Sequence, residues 1–143
     1  MQAVSIDNNG IKYLLTVIDI FSKFVWTVPL KQKTGQKVAN AFSRILTERR
    51  PSKMLVNKGR EFYNKDIQKL AELHSIENDE KSCVIERFNA TSKEKIFKYF
   101  SANYTRKFVD VLDLLVDQYN NTIHSSIKMI PKEASRKKNE NKV

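Results

Sequence analysis

Apolar residues first recur along this chain as two nearly continuous runs. The run from Ile11 to Phe21 is rich in β-branched and aromatic residues, and a second run extends from Phe24 to Leu30. Such runs predict largely buried strands, and two strands joined by the short Ser22-Lys23 turn form a hairpin. Pro29 lies near the end of the second strand, where a missing N–H donor matters least.

Beyond the hairpin the apolar spacing becomes helical. Thr34 is a candidate N-cap, and the apolar residues behind it lie on one helix face that ends before Pro51. We expect Val38, Phe42 and Leu46 on this face to pack against Val17 and Val25 of the hairpin. The next strand, Lys53–Val56, is predicted to join the hairpin in one sheet.

The rest of the chain predicts further helices separated by polar segments. The segment Glu77–Ser82 is polar and predicts a loop. The predicted helices begin at Asn64, Val84, Phe108 and Pro131.

The composition is strongly basic. The chain has 143 residues with 26 Lys and Arg against 16 Asp and Glu, giving a net charge of +10. This length allows one domain with one core. The charge indicates a polyanionic partner, with DNA favoured over an anionic membrane surface and solubility alone as the simplest alternative.

Cysteine and histidine usage excludes two classes of small protein. The single Cys83 cannot form a disulfide framework. With no second Cys, and with His74 and His124 far apart in the sequence, a structural zinc site is not expected. No apolar run approaches the ~20 residues of a membrane span. These features fit an intracellular protein, which would be nuclear if it acts on DNA.

Four blocks of sequence, taken in order, resemble the catalytic cores of retroviral, retrotransposon and large-DNA-transposon integrases. The blocks are Gly10–Lys23, Lys58–Phe62, Ile85–Asn89, and Tyr119–Ser126 followed by Pro131–Ala134. The resemblance implies a ribonuclease H-like α/β fold, a mixed sheet flanked by helices. It also implies DNA as partner, homodimers, and DNA cutting and joining by Mg²⁺ or Mn²⁺ ions that two aspartates and one glutamate hold.

Position by position, one of these three acids is present. Glu86 matches the glutamate, and Asn57 stands in the place of the second aspartate. We expect the first aspartate to belong to a strand upstream of this sequence. Asp7 and Asp19 do not align with it: Asp7 lies in a polar turn, and Asp19 is predicted to cap the hairpin turn.

The change from Asp to Asn affects chemistry more than folding. The amide of Asn57 is nearly isosteric with a carboxylate, but a pair of divalent cations needs anionic ligands. Glu86 alone could hold hydrated Mg²⁺ weakly, so we predict no productive metal binding. The stretch between Asn57 and Glu86 is also short for the family. Together with the upstream position expected for the first aspartate, this predicts an α/β core lacking the first strand and most of the last.

Basic residues near the family blocks are predicted DNA contacts. Lys93 lies seven residues after Glu86 and matches a lysine that contacts DNA in relatives, whereas Ala90 replaces a frequent basic residue. The predicted DNA-binding set is Lys58, Arg87, Lys93 and Lys95.

We divide the chain into an integrase-core-like domain at residues 1–135 and a basic tail at residues 136–143. The leading interpretation is a domain derived from a DNA-integration enzyme that does not catalyse on its own. The alternatives are a domesticated DNA-binding module, a non-functional transposon remnant, and an enzyme completed by an upstream exon. Such an exon could supply the first aspartate, but position 57 would still be Asn.

Overall fold

The computed structural model describes residues 4–48, 53–57, 65–73, 75–79 and 83–136. A short 3-10 helix at Ile6–Asn8 precedes the regular elements. The strands are β1 (Tyr13–Ile18), β2 (Val25–Leu30), β3 (Lys53–Asn57) and β4 (Ser75–Asp79). The helices are α1 (Gly35–Glu48), α2 (Lys65–Leu73), α3 (Cys83–Asn103), α4 (Val109–Asn120) and α5 (Pro131–Ala134).

Strands β1 and β2 form the predicted hairpin. They pair antiparallel from Tyr13 opposite Leu30 to Ile18 opposite Val25. The Asp19 carboxylate closes the turn, because it accepts hydrogen bonds from the Phe21 N–H (3.1 Å) and the Ser22 hydroxyl (2.6 Å). The predicted capping role of Asp19 is therefore confirmed.

Helix α1 covers one face of the hairpin through its predicted apolar side. Val38 and Phe42 are buried against Leu15, with Val17 and Val28 packed at the edge of the cluster. Helix α2 adds Ile67 and Leu70 to this core. The alternation of side chains along a strand explains why residues 15, 17 and 28 share one face.

The predicted contact of Val25 with α1 is wrong. Val25 packs with Ile18 and Phe88 on the opposite face of the hairpin, which α3 and α4 cover. Val25 precedes Trp26, the residue paired with Val17, so the two-residue period of a strand turns Val25 away from α1.

Two predictions about the sheet are also wrong. Strand β3 does not pair with the hairpin: the described strands form two separate two-stranded sheets. Strand β3 pairs in parallel with β4, from Lys53 opposite Ser75 to Asn57 opposite Asp79. Residues 77–79 are thus strand, where the polar sequence predicted a loop. Backbone pairing overrides the low strand propensity of Ser-Ile-Glu-Asn-Asp.

The α/β class is confirmed, with helices packed on paired strands. Across the described ranges, no helix combines the length and the apolar character that crossing a membrane requires. The predicted boundary at residue 135 follows α5 directly, but residues 137–143 lie outside the described residues, so the division into core and basic tail stays a prediction.

Candidate nucleic-acid interface

Helix α3 carries most of the predicted site residues. Buried Phe88 and Ile96 anchor it to the core, which leaves Glu86, Arg87 and Lys93 exposed and Lys95 half-buried. Glu86 lies in the first turn, where the positive end of the helix dipole stabilises a carboxylate. Lys93 follows about 10 Å further along the axis.

The second family position lies on another element. Asn57 is the last residue of β3, one residue beyond the predicted strand Lys53–Val56, and its backbone stands opposite Asp79 at the end of β4. The predicted DNA contact Lys58 lies outside the described residues. Sequence reasoning missed Asp79 as a neighbour of Asn57, because it interpreted that stretch as a loop.

The described residues do not fit the two-metal centre of the family. Among them, no group of three or more His, Cys, Asp or Glu side chains could hold a metal ion. Glu86 is exposed on α3, and the Asp19 carboxylate bonds within the hairpin turn.

The turn of the hairpin, the start of α3 and the loop after α4 lie close together and carry basic side chains. The ring of Tyr119 at the end of α4 lies 4.9 Å from that of Phe88 and 6.0 Å from that of His124, measured between centroids. Burial lowers the pKa of His124, and the nearby charges of Lys23 and Arg87 lower it further. The turn of the hairpin, the start of α3 and the loop after α4 therefore form one basic corner.

His124 and Tyr119 also have local partners in this corner. His124 Nδ1 lies 3.0 Å from the Ser126 hydroxyl oxygen and accepts from the Ser126 N–H at 3.3 Å. Burial raises the pKa of Tyr119, so its phenol stays protonated well above neutral pH. The sequence singled out this block by resemblance alone, without the charges that surround it.

Two buried asparagines hold the frame of the interface. Asn120 pairs with the backbone of Val25, accepting from its N–H and donating to its carbonyl oxygen, both at 2.9 Å. This contact fixes the end of α4 on the outer edge of β2. The Asn of the Tyr119-Asn120 block is therefore structural.

Asn8 performs a similar task at the other end of α4. Its Oδ1 accepts from the N–H groups of Phe108 (2.6 Å) and Val109 (3.1 Å), which caps the helix from a distant part of the chain. Its Nδ2 donates to the carbonyl oxygens of Val4 (2.7 Å) and Arg106 (2.8 Å). Sequence reasoning missed Asn8, since no local spacing signals a partner a hundred residues away.

Comparisons with known proteins give relatives in sequence. The chain is 34% identical to an uncharacterised transposon-derived protein of Caenorhabditis elegans, over 91% of this chain and 48% of that protein. It is 30% identical to the Pol polyprotein of radiation murine leukemia virus (strain Kaplan), over 79% of this chain and 21% of the polyprotein. The chain thus spans about half of the first relative and about a fifth of the second. No family model matches it.

Solved structures agree on the fold. The HTLV-2 integrase catalytic core domain, solved with magnesium in a trimeric form, superposes with a TM-score of 0.72 at 17% identity, covering 86% of this chain and 84% of that one. Its dimeric form gives 0.68 at 18% identity, over 83% and 81%. A chain of the simian T-cell lymphotropic virus intasome in complex with PP2A regulatory subunit B56 gamma gives 0.73 at 19% identity, over 84% and 46%.

Proposed function

We propose that this chain is an integrase-core-like domain that binds DNA through exposed basic residues and does not itself cut or join DNA. Its fold, which matches solved integrase cores, and its transposon-derived and Pol relatives support this proposal. We call the proposed contacts the DNA face: Lys23, Arg87 and His124 at the basic corner, and Lys93 further along α3. The observation that carries the proposal is the meeting of the hairpin turn, the start of α3 and the loop after α4 at a basic corner.

The charges of this face differ from those elsewhere on the helices. Lys98 on α3 forms an ion pair with Glu94 at 2.7 Å, and Lys107 pairs with Asp110 at 2.8 Å. Arg87 and Lys23 instead lie close enough to His124 for both to lower its pKa. A phosphodiester near His124 would be attracted by both cations, which favours an anionic partner at this corner.

The catalytic silence rests on ligand chemistry. Asn57 offers a neutral amide at the place where the family has an aspartate, and a two-metal site needs anions on both metals. Glu86 is exposed. Activity would therefore require further acids beside Glu86, and DNA binding requires none.

Two further features follow from this proposal. Because the proposed partner is DNA, we propose that the protein acts in the nucleus. Pairing of two copies is supported by the HTLV-2 core, whose fold this chain shares and which is described in dimeric and trimeric forms. Neither the nuclear location nor the pairing of two copies depends on the acids of a metal site.

The test is the salt dependence of DNA affinity, measured by fluorescence anisotropy on a labelled duplex of random sequence. Each phosphate contact contributes about one unit to the slope of log affinity against log salt. We expect Arg87→Gln and Lys93→Gln each to lower the slope by about one unit. Lys98→Gln is the matched control and should leave it unchanged. An affinity that does not change between about 50 and 200 mM salt would contradict DNA binding.

A further inference from the structure

A cavity of about 320 Å³ lies between the hairpin and helices α3 and α4. It lies on the face opposite α1, and the proposed DNA face borders it at Lys93. Its apolar part is formed by side chains from all three elements, among them Leu14, Phe88, Ile96 and Leu112. Ile96 and Leu112 are buried, so this part of the wall is fixed by the core.

Uncharged polar groups form a second part of the wall. Thr16 on β1 donates to Asn89 Oδ1 on α3 at 3.2 Å, which joins the strand and the helix at the cavity. Thr27 and Ser92 add two hydroxyl groups.

Three lysines complete the lining: Lys12 before β1, Lys33 before α1, and Lys93 on α3. Within the described part of the chain, no carboxylate lines the cavity. The cavity lining combines apolar side chains, hydroxyl and amide groups, and positive charges only. Such a lining suits an anionic ligand with a flat, largely apolar ring that carries hydrogen-bonding groups.

We propose that this cavity takes one nucleotide, with the base inside and the phosphate on the lysines. A volume of about 320 Å³ is near the lower end of small-molecule sites, about 300–1,000 Å³, which fits one base with its sugar and excludes a dinucleotide. A fatty acyl anion fits less well, because it would leave the hydroxyl and amide groups without hydrogen-bond partners. The half-buried ring of Tyr13 belongs to the lining and offers a face on which a base can stack.

The nucleotide has two possible sources. It is either a free mononucleotide or a nucleotide turned out of the stack of a bound DNA duplex. In the second case the inference rests on the proposed function, and Lys93 would join the cavity to the DNA face.

Both sources can be measured with one fluorescent base. The probes are 2-aminopurine nucleoside monophosphate and a duplex that contains one 2-aminopurine opposite an abasic site. Ser92→Phe fills the cavity from its wall, and Ser92→Ala is its control at the same position. Lys12→Gln removes a lining charge, and Lys98→Gln removes an ion-paired charge on α3 outside the cavity.

We expect a saturable fluorescence change with at least one probe, lost in Ser92→Phe and retained in Ser92→Ala. Lys12→Gln should weaken binding about tenfold, and Lys98→Gln should leave it within about twofold. A response to the mononucleotide alone indicates a free ligand, and a response to the duplex alone indicates an extrahelical nucleotide. A response without DNA affinity in the anisotropy assay would refute the proposed function and leave the cavity assignment standing.

Three other results would overturn the assignment of the cavity as a nucleotide site. DNA binding by anisotropy with no response from either probe would overturn the cavity assignment and leave the proposed function standing. An unchanged response in a Ser92→Phe protein with wild-type circular dichroism would also overturn the assignment. If Ser92→Phe does not fold, Lys12→Gln decides, and equal affinities of Lys12→Gln and Lys98→Gln would overturn it.

Discussion

Replacement of Asn120 by alanine removes the only described side chain that bonds the outer edge of β2 at Val25. Asn120 is 4% exposed and Val25 is 1% exposed, so water does not reach these groups easily in the folded protein. Both hydrogen bonds are 2.9 Å long. Each buried backbone group left unpaired costs about 1–3 kcal/mol, which gives a loss of about 2–6 kcal/mol in the free energy of unfolding.

The assay is urea unfolding followed by circular dichroism and by the fluorescence of Trp26. With a denaturant slope of about 2 kcal/mol per molar, the midpoint of Asn120→Ala should fall by about 1–3 M. The matched control is Asn121→Ala, because exposed Asn121 bonds only to Asp117 of its own helix and should change stability by less than about 0.5 kcal/mol. Equal midpoints for the two variants would refute the role assigned to Asn120.

Two other predictions concern the frame and the basic corner. Asn8→Ala should destabilise the fold by at least about 2 kcal/mol, because the N–H groups of Phe108 and Val109 lose their acceptor. Hydrogen exchange at these two amides should become faster, and unchanged exchange would contradict the capping role of Asn8. For His124, the folded-state pKa lies below the ordinary value of 6.5, so the unfolded state takes up the proton first as pH falls. The contribution of His124 to stability should therefore be complete well above pH 6.5 and fall as the pH drops below it, and His124→Gln should remove this part of the pH dependence. A slope identical in wild type and His124→Gln would contradict the burial of the imidazole.

The sequence was sufficient where structure follows from local pattern. The hairpin follows from two apolar runs and a turn, and the face of α1 follows from helical spacing at Val38 and Phe42. The Asp19 cap is local as well, since its partners are two and three residues away. Each of these features depends on neighbours that a short window contains.

Features that depend on distant pairing were missed. Strand β4 has a polar sequence and exists through its backbone partner β3. The roles of Asn8 and Asn120 depend on contacts about a hundred residues away in the chain. The positive charges around His124 come from the hairpin turn and α3, so residue spacing within its own block could not reveal them.

The candidate site was predicted in part. The resemblance identified Glu86, Arg87 and Lys93, and the structure places all three exposed on one helix. It gave no indication that Lys23 and His124 lie beside Arg87, or that Lys93 lines a cavity with Lys12 and Lys33. Those groupings arise from the packing of α3 against the hairpin.

The central claim, a DNA-binding core without catalysis, is tested most directly by a nicking and strand-transfer assay with Mg²⁺ or Mn²⁺, comparing wild type with Glu86→Gln. Both proteins should give only the metal-free background, because the Asn57 amide cannot supply the anion that a metal pair needs. Metal-dependent turnover by wild type that Glu86→Gln abolishes would contradict the claim. That result would mean that another acid completes a metal site, with Asp79, opposite Asn57 in the sheet, as the first candidate.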